Sequence, residues 1–100
     1  MHVITQKRIW DAKKNFPECA TALGGWYRII KKNSFNNFAA LKKVFNTVDK
    51  TQDLYIFDVG GNKLRLVANI HFNRQKIYIR FILTHKEYDK GGWKLRRYSS

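Results

Sequence analysis

One hundred residues are enough for a single hydrophobic core and too few for two, so one domain spanning 1–100 is expected. Twenty Lys and Arg against seven Asp and Glu leave a net charge of +13, which points to a polyanion as the partner. No apolar run approaches the roughly 20 residues that span a bilayer and the start lacks a signal-peptide pattern, so no membrane association and a soluble, cytoplasmic chain are expected.

The single cysteine, Cys19, excludes an internal disulfide and a thiolate zinc site, and reads as a small buried hydrophobe on a helix. His2, His71 and His85 are too scattered for a metal-ligand spacing, so neither metal nor cofactor is expected.

In chain order, His2 to Ile4 reads as a short strand, with Thr5 as the N-cap of a first helix over residues 6 to 15. Ile9, Ala12 and Phe16 fall at helical spacing, and Lys7, Lys13 and Lys14 take the exposed side. Pro17 breaks that helix and suits position N1 of a second, which runs to about Lys32. Its apolar stripe is Cys19, Leu23, Trp26 or Tyr27, and Ile30, interrupted by Gly24-Gly25, where the helix bends or another backbone approaches. A third, short helix presents Phe38, Leu41, Val44 and Phe45 on one face. Residues 46 to 53 are polar and turn-like, and Leu54 to Val59 is a strand by its aromatic and β-branched content. Gly60-Gly61-Asn62 supplies the turn that follows.

The hairpin from there to Thr84 is the most informative stretch. Alternation puts Leu64, Leu66, Ala68, Ile70 and Phe72 on one face with Ile77, Ile79, Phe81 and Leu83, joined by a loop of two or four residues. The opposite face carries Lys63, Arg65, Val67, Asn69 and His71 beside Tyr78, Arg80, Ile82 and Thr84. Arg65 then lies across from Ile82 or Thr84, where His85, Lys86, Tyr88 and Asp89 begin, and two arginines, a histidine and a tyrosine converge. The expected architecture is β-α-α-α-β-β-β, an α+β domain with helices packed on the apolar face of a small, mainly antiparallel sheet. The tail KGGWKLRRYSS is too short and basic to form another large element.

Basic side chains on a strand face are common on solvated sheets. The added His85, Tyr88 and Asp89 favour chemistry on RNA. Cleavage through the 2′-hydroxyl needs a base, cations for the extra charge on phosphorus, and an acid for the departing 5′-oxygen. Histidine is the side chain of the cluster that ordinarily titrates near neutrality, so His85 leads as general acid or base. Arg65 and Arg80 stay charged and can grip two phosphate oxygens. Tyr88 either stacks on a base or bonds a phosphate, and its arginine neighbours favour the phenolate. Asp89 orients His85 or caps a turn, and Lys86 and Glu87 pair on the surface or join the site.

The blocks FDVGGNKLRLVANIHF and KIYIRFILTHKEYDKGGWK, with ITQKRIWDA at the start, resemble the HigB-type toxins of bacterial toxin-antitoxin modules over essentially the whole chain. The resemblance implies a compact RelE-like fold and ribosome-dependent endoribonuclease action on mRNA. It also implies neutralisation by a cognate helix-turn-helix antitoxin of the HigA type. It carries catalytic roles onto Arg65, His85, Tyr88 and Asp89, and a basic position onto Lys63; with Arg74, Lys76, Arg80 and Lys86 these cations form the expected RNA-binding set. Two other readings use the same basic face: a non-catalytic nucleic-acid-binding module, and a ParE-like toxin of the same fold turned against DNA gyrase.

Overall fold

The computed structural model describes residues 1–61 and 63–91, so Asn62 and the basic tail beyond Gly91 lie outside the described residues. Its strands are β1 (His2–Val3), β2 (Asp49–Thr51), β3 (Leu54–Val59), β4 (Leu64–His71) and β5 (Lys76–Thr84). Its helices are α1 (Lys7–Asn15), α2 (Ala20–Lys32), α3 (Phe38–Val44) and α4 (His85–Lys90). The strands form one sheet in the order β1-β5-β4-β3-β2, antiparallel except where β1 runs parallel to β5. This is the expected α+β architecture with two additions, β2 and α4.

The helices bury their apolar stripes on one face of the sheet. Ile9 and Ala12 of α1, Leu23, Trp26 and Ile30 of α2, and Leu41 of α3 meet Phe57, Leu64, Leu66, Ala68, Ile77 and Ile79. Phe57 sits between Trp26 and Phe45, edge to face with each at centroid distances of 5.3 and 5.2 Å. Trp26, not Tyr27, supplies the buried ring of α2. Pro17 opens a short 3₁₀ turn, Pro17–Cys19, that leads into α2. Cys19 is buried, as its residue type suggested, and its Sγ stands 3.1 Å from where a Cβ on Gly60 would fall. Gly60 also has φ +71°, so both crowding and conformation call for glycine at the start of the β3–β4 turn.

Several local expectations are corrected. Thr5 does not cap α1 with its side chain; Gln6 occupies the N-cap. The Thr5 hydroxyl instead accepts from the backbone N–H of Ile79 at 2.6 Å and donates to the Ile79 carbonyl at 3.2 Å, extending the β1–β5 ladder by one side chain. Val44 is half exposed rather than part of the apolar face, which is formed by Phe38, Leu41 and Phe45. The polar run 46–53 contains the edge strand β2, whose backbone pairs with β3 while Asp49 and Lys50 remain in solvent. Gly24 admits the Lys13 side chain rather than a backbone.

The largest correction concerns the faces of β5. Val67 pairs with Phe81 but Ala68 pairs with Ile79, so Arg80 is an extra residue in a β-bulge. Ile77 and Ile79 point to the helices as expected. Beyond the bulge the phase inverts: Ile82 joins the main core opposite Leu66, and Phe81 and Leu83 turn to the other face. The hairpin loop is the four-residue alternative, a 3₁₀ turn at Phe72–Arg74 closed by Gln75 in the left-handed region.

Candidate active site

The inverted phase gives the face of the sheet opposite α1, α2 and α3 an apolar floor. Leu54 and Ile56 of β3, Val67 of β4 and Leu83 of β5 form a second small cluster, with Phe81 and Tyr88 packed against it. Arg65 lies across from Leu83, not from Ile82 or Thr84, and emerges at the edge of this floor. On its other side, Arg65 faces Asp58 of β3 in register, and the two side chains form an ion pair.

The helix that carries the rest of the cluster starts where β5 ends. Thr84 Oγ accepts from the Glu87 N–H at 3.2 Å, and a Glu87 carboxylate oxygen accepts from the Thr84 N–H at 2.9 Å, a capping box that opens α4. Gly91, at φ +74°, ends it. The T-x-x-E spacing in THKE signals this helix in the residues themselves. The box also gives Glu87 a structural job in place of a surface pair with Lys86. The backbone N–H of His85 donates to the Lys63 carbonyl at 3.3 Å, which ties the first residue of α4 to the start of β4.

Arg65 is the centre of the arrangement. One guanidinium nitrogen, Nη1, pairs with Asp58, and Nη2 lies 3.0 Å from Nδ1 of His85. The guanidinium carbon stands 5.8 Å from the Tyr88 ring centroid, within cation-π range. A guanidinium only donates, so Nδ1 of His85 accepts, and the proton of the neutral ring sits on Nε2. Nε2 in turn faces the Asp89 carboxylate at 3.3 Å, one helical turn on. The imidazole is thus held between a cation on one nitrogen and an anion on the other, in a single tautomer. Its side chain and that of Asp89 are more than half exposed, whereas the Arg65 side chain is 13% exposed. The exposed partners can rearrange around a fixed guanidinium.

Tyr88 departs from expectation. Burial pushes its phenol pKa up, Asp49 adds to the rise, Arg65 opposes it, and Asp89 and Asp58 raise it further. The carboxylates and the apolar floor outweigh the arginine, so Tyr88 is held as a neutral phenol rather than a phenolate.

Of the expected residues, Arg65, His85, Tyr88 and Asp89 come together. Lys63 adjoins them through its backbone, and Lys86 is exposed on α4. Arg80 does not converge. It sits at the bulge, three residues from Leu83 or about 10 Å along the strand, with its Nε donating to Asn69. Arg74 and Lys76 lie at the far end of the hairpin, roughly 20 Å from Arg65. There His71 and Tyr78 form an edge-to-face ring pair at 5.4 Å. Asp58 was missed. The β3–β4 turn pairs it with Arg65, a signal available once both strands and the glycine turn are assigned.

Comparison with known proteins agrees with this architecture. Residues 19–91 match the HigB toxin family, described as the RelE-like toxic component of a toxin-antitoxin system. The chain is 46% identical over 92 residues to the mRNA interferase toxin HigB of Escherichia coli (strain K12), covering 89% of this chain and 88% of that protein. The mRNA interferase HigB of Escherichia coli O6:H1 (strain CFT073) is 33% identical over 93 residues, covering 90% of each chain.

Proposed function

The chain belongs to the HigB toxins, RelE-like toxic components of toxin-antitoxin systems with mRNA interferase activity, and we propose that cleavage takes place at the Arg65–His85 contact. The observation that carries this is the His85 ring held between Arg65 and Asp89 on the open face of the sheet.

The chemistry follows from the bonds each group can make. Attack by a ribose 2′-hydroxyl forms a 2′-O–P bond and breaks the P–5′-O bond, which requires removal of the 2′-proton. The Nδ1 lone pair of His85 is the only basic position on the neutral ring, and two contacts keep it so together: Arg65 donates to Nδ1 and Asp89 faces the proton on Nε2. A phosphodiester entering the site draws the Nη2 donor of Arg65 away from the imidazole and onto its own oxygens, since an anion outcompetes a neutral nitrogen for a guanidinium. That exchange frees Nδ1 as the cation reaches the phosphate. When Nδ1 takes the 2′-proton, the ring becomes an imidazolium facing Asp89, which stabilises it. Arg65 meets the charge growing on phosphorus, and Tyr88, held neutral, packs its ring against the guanidinium. The departing 5′-oxygen takes a proton from water and leaves as the alcohol, and the imidazolium then returns its proton to solvent, which restores the neutral ring.

Ribosome dependence fits so small a constellation. A bound scaffold that holds the RNA in line supplies the orientation that a few side chains on a short helix do not. The antitoxin partner that the family implies is, in this proposal, a helix-turn-helix protein of the HigA type, and the site of action is the cytoplasm.

The test is mapping of mRNA 5′ ends in a translation-active extract. His85→Ala should lower cleavage by about 10²- to 10⁴-fold, the usual contribution of a general base, while co-sedimentation with ribosomes persists. Cleavage at the wild-type rate would remove His85 from the chemistry.

A further inference from the structure

We infer that Asp58 is a positioning residue of this site: its carboxylate orients the Arg65 guanidinium toward His85, and so keeps the imidazole in the tautomer that leaves Nδ1 unprotonated. The inference rests on the reading of Arg65 and His85 given above.

The sheet register is the first support. Asp58 and Arg65 are direct partners across the antiparallel β3–β4 pair, so their side chains leave the same face about 5 Å apart and meet without bending the backbone. The second is the division of the guanidinium. Asp58 takes Nη1, which leaves Nη2 directed at His85. An arginine without such an anchor samples many rotamers, and few of them bring a donor to Nδ1. The third is burial. The pair stands beside the apolar cluster of Leu54, Ile56, Val67 and Leu83, where water screens it less than on an open surface. His85 and Asp89 are the exposed half of the arrangement, so the order in the site originates at the Asp58 end. Asp58 is bonded to Arg65 and acts on His85 only through it. When RNA binds, Asp58 stays on Nη1 while the released donor serves the phosphate.

The experiment compares wild-type toxin with Asp58→Asn, which keeps the shape and removes the charge, and with Asp58→Ala. In the free proteins, imidazole ¹⁵N spectra, with His85→Gln used to assign the His85 signals, report the tautomer. Wild type is expected to show His85 protonated at Nε2 alone, and both variants a mixture of the two tautomers. In single-turnover cleavage of ribosome-bound mRNA, kcat should fall by about 10- to 100-fold, the scale of losing alignment in a reacting pair, with KM within about twofold. An unchanged tautomer overturns the inference, as does a change confined to KM. Unfolding of both variants overturns it too, by making Asp58 a structural residue. Absence of cleavage by the wild-type protein would instead refute the interferase site, and the tautomer comparison would still decide the role of Asp58.

Discussion

The site depends on a six-residue helix that cannot stand alone, and this makes the Thr84–Glu87 capping box the most informative place to perturb. Isolated helices shorter than ~12 residues are marginal in water, and α4 has no fully buried residue. It is held by the capping box, by Tyr88 on the apolar floor, and by the His85–Lys63 backbone bond. Replacing an N-cap threonine by alanine costs about 1 kcal/mol. Removing the reciprocal Glu87 acceptor costs about another 1 kcal/mol. At tenfold per 1.4 kcal/mol, Thr84→Ala should raise the opening constant of α4 about 5-fold, and Thr84→Ala with Glu87→Ala about 30-fold. Native-state hydrogen exchange reads this directly. The amides of Asp89 and Lys90, bonded inside the helix, should speed up by those factors, while amides of β4, which opens only with the core, stay within about twofold. Equal acceleration in β4 would show that α4 does not open as a separate unit. No acceleration in α4 would show that the box does not hold it.

Phe57→Ala removes the ring at the centre of the core and should cost about 3–5 kcal/mol, read from denaturant midpoints. Tyr88 binds its proton more tightly in the folded than in the unfolded chain, so its contribution to stability is complete below about pH 10 and is lost as pH rises through the folded pKa. Denaturation at successive pH values in that range should show the loss in wild type and a smaller one in Tyr88→Phe. Arg80→Ala should weaken single-stranded RNA binding and lower the slope of log affinity against log salt by about 0.7, as loss of one phosphate contact requires. An unchanged slope would leave Arg80 as a partner of Asn69 only.

The helices and central strands were legible because their burial is periodic. Ile9 with Ala12, and Cys19, Leu23, Trp26 and Ile30, repeat at helical spacing, and Leu64, Leu66 and Ala68 alternate. β2 was not legible, since Asp49-Lys50-Thr51 has no apolar face and takes its place through backbone pairing with β3. The helix-building role of THKE was legible and overlooked, because the ionisable side chains of the segment suggested chemistry before they suggested a cap. The pairing of Asp58 with Arg65 lies one step beyond pattern: it follows from the register that the Gly60-Gly61 turn imposes, not from any property of either residue alone.

The bulge shows why a correct list of residues still gave a wrong geometry. Ile77, Ile79, Phe81 and Leu83 alternate without interruption, and nothing in that string marks Arg80 as an added residue. Its placement comes from the partners. Ile77 and Ile79 must face the helices, where β1 and the Thr5 hydroxyl grip the β5 backbone, and Ile82 must close the core under Leu66. Five residues separate Ile77 from Ile82, an odd step that regular alternation cannot place on one face, and one bulged residue resolves the conflict. The same step releases Phe81 and Leu83 to the open side, where they become the floor on which Tyr88 rests and against which Arg65 stands. In an unbulged hairpin those two side chains would lie in the core, and Tyr88 would lose that part of its apolar support. The packing demand at one face of the sheet therefore builds the platform for the ionisable cluster on the other.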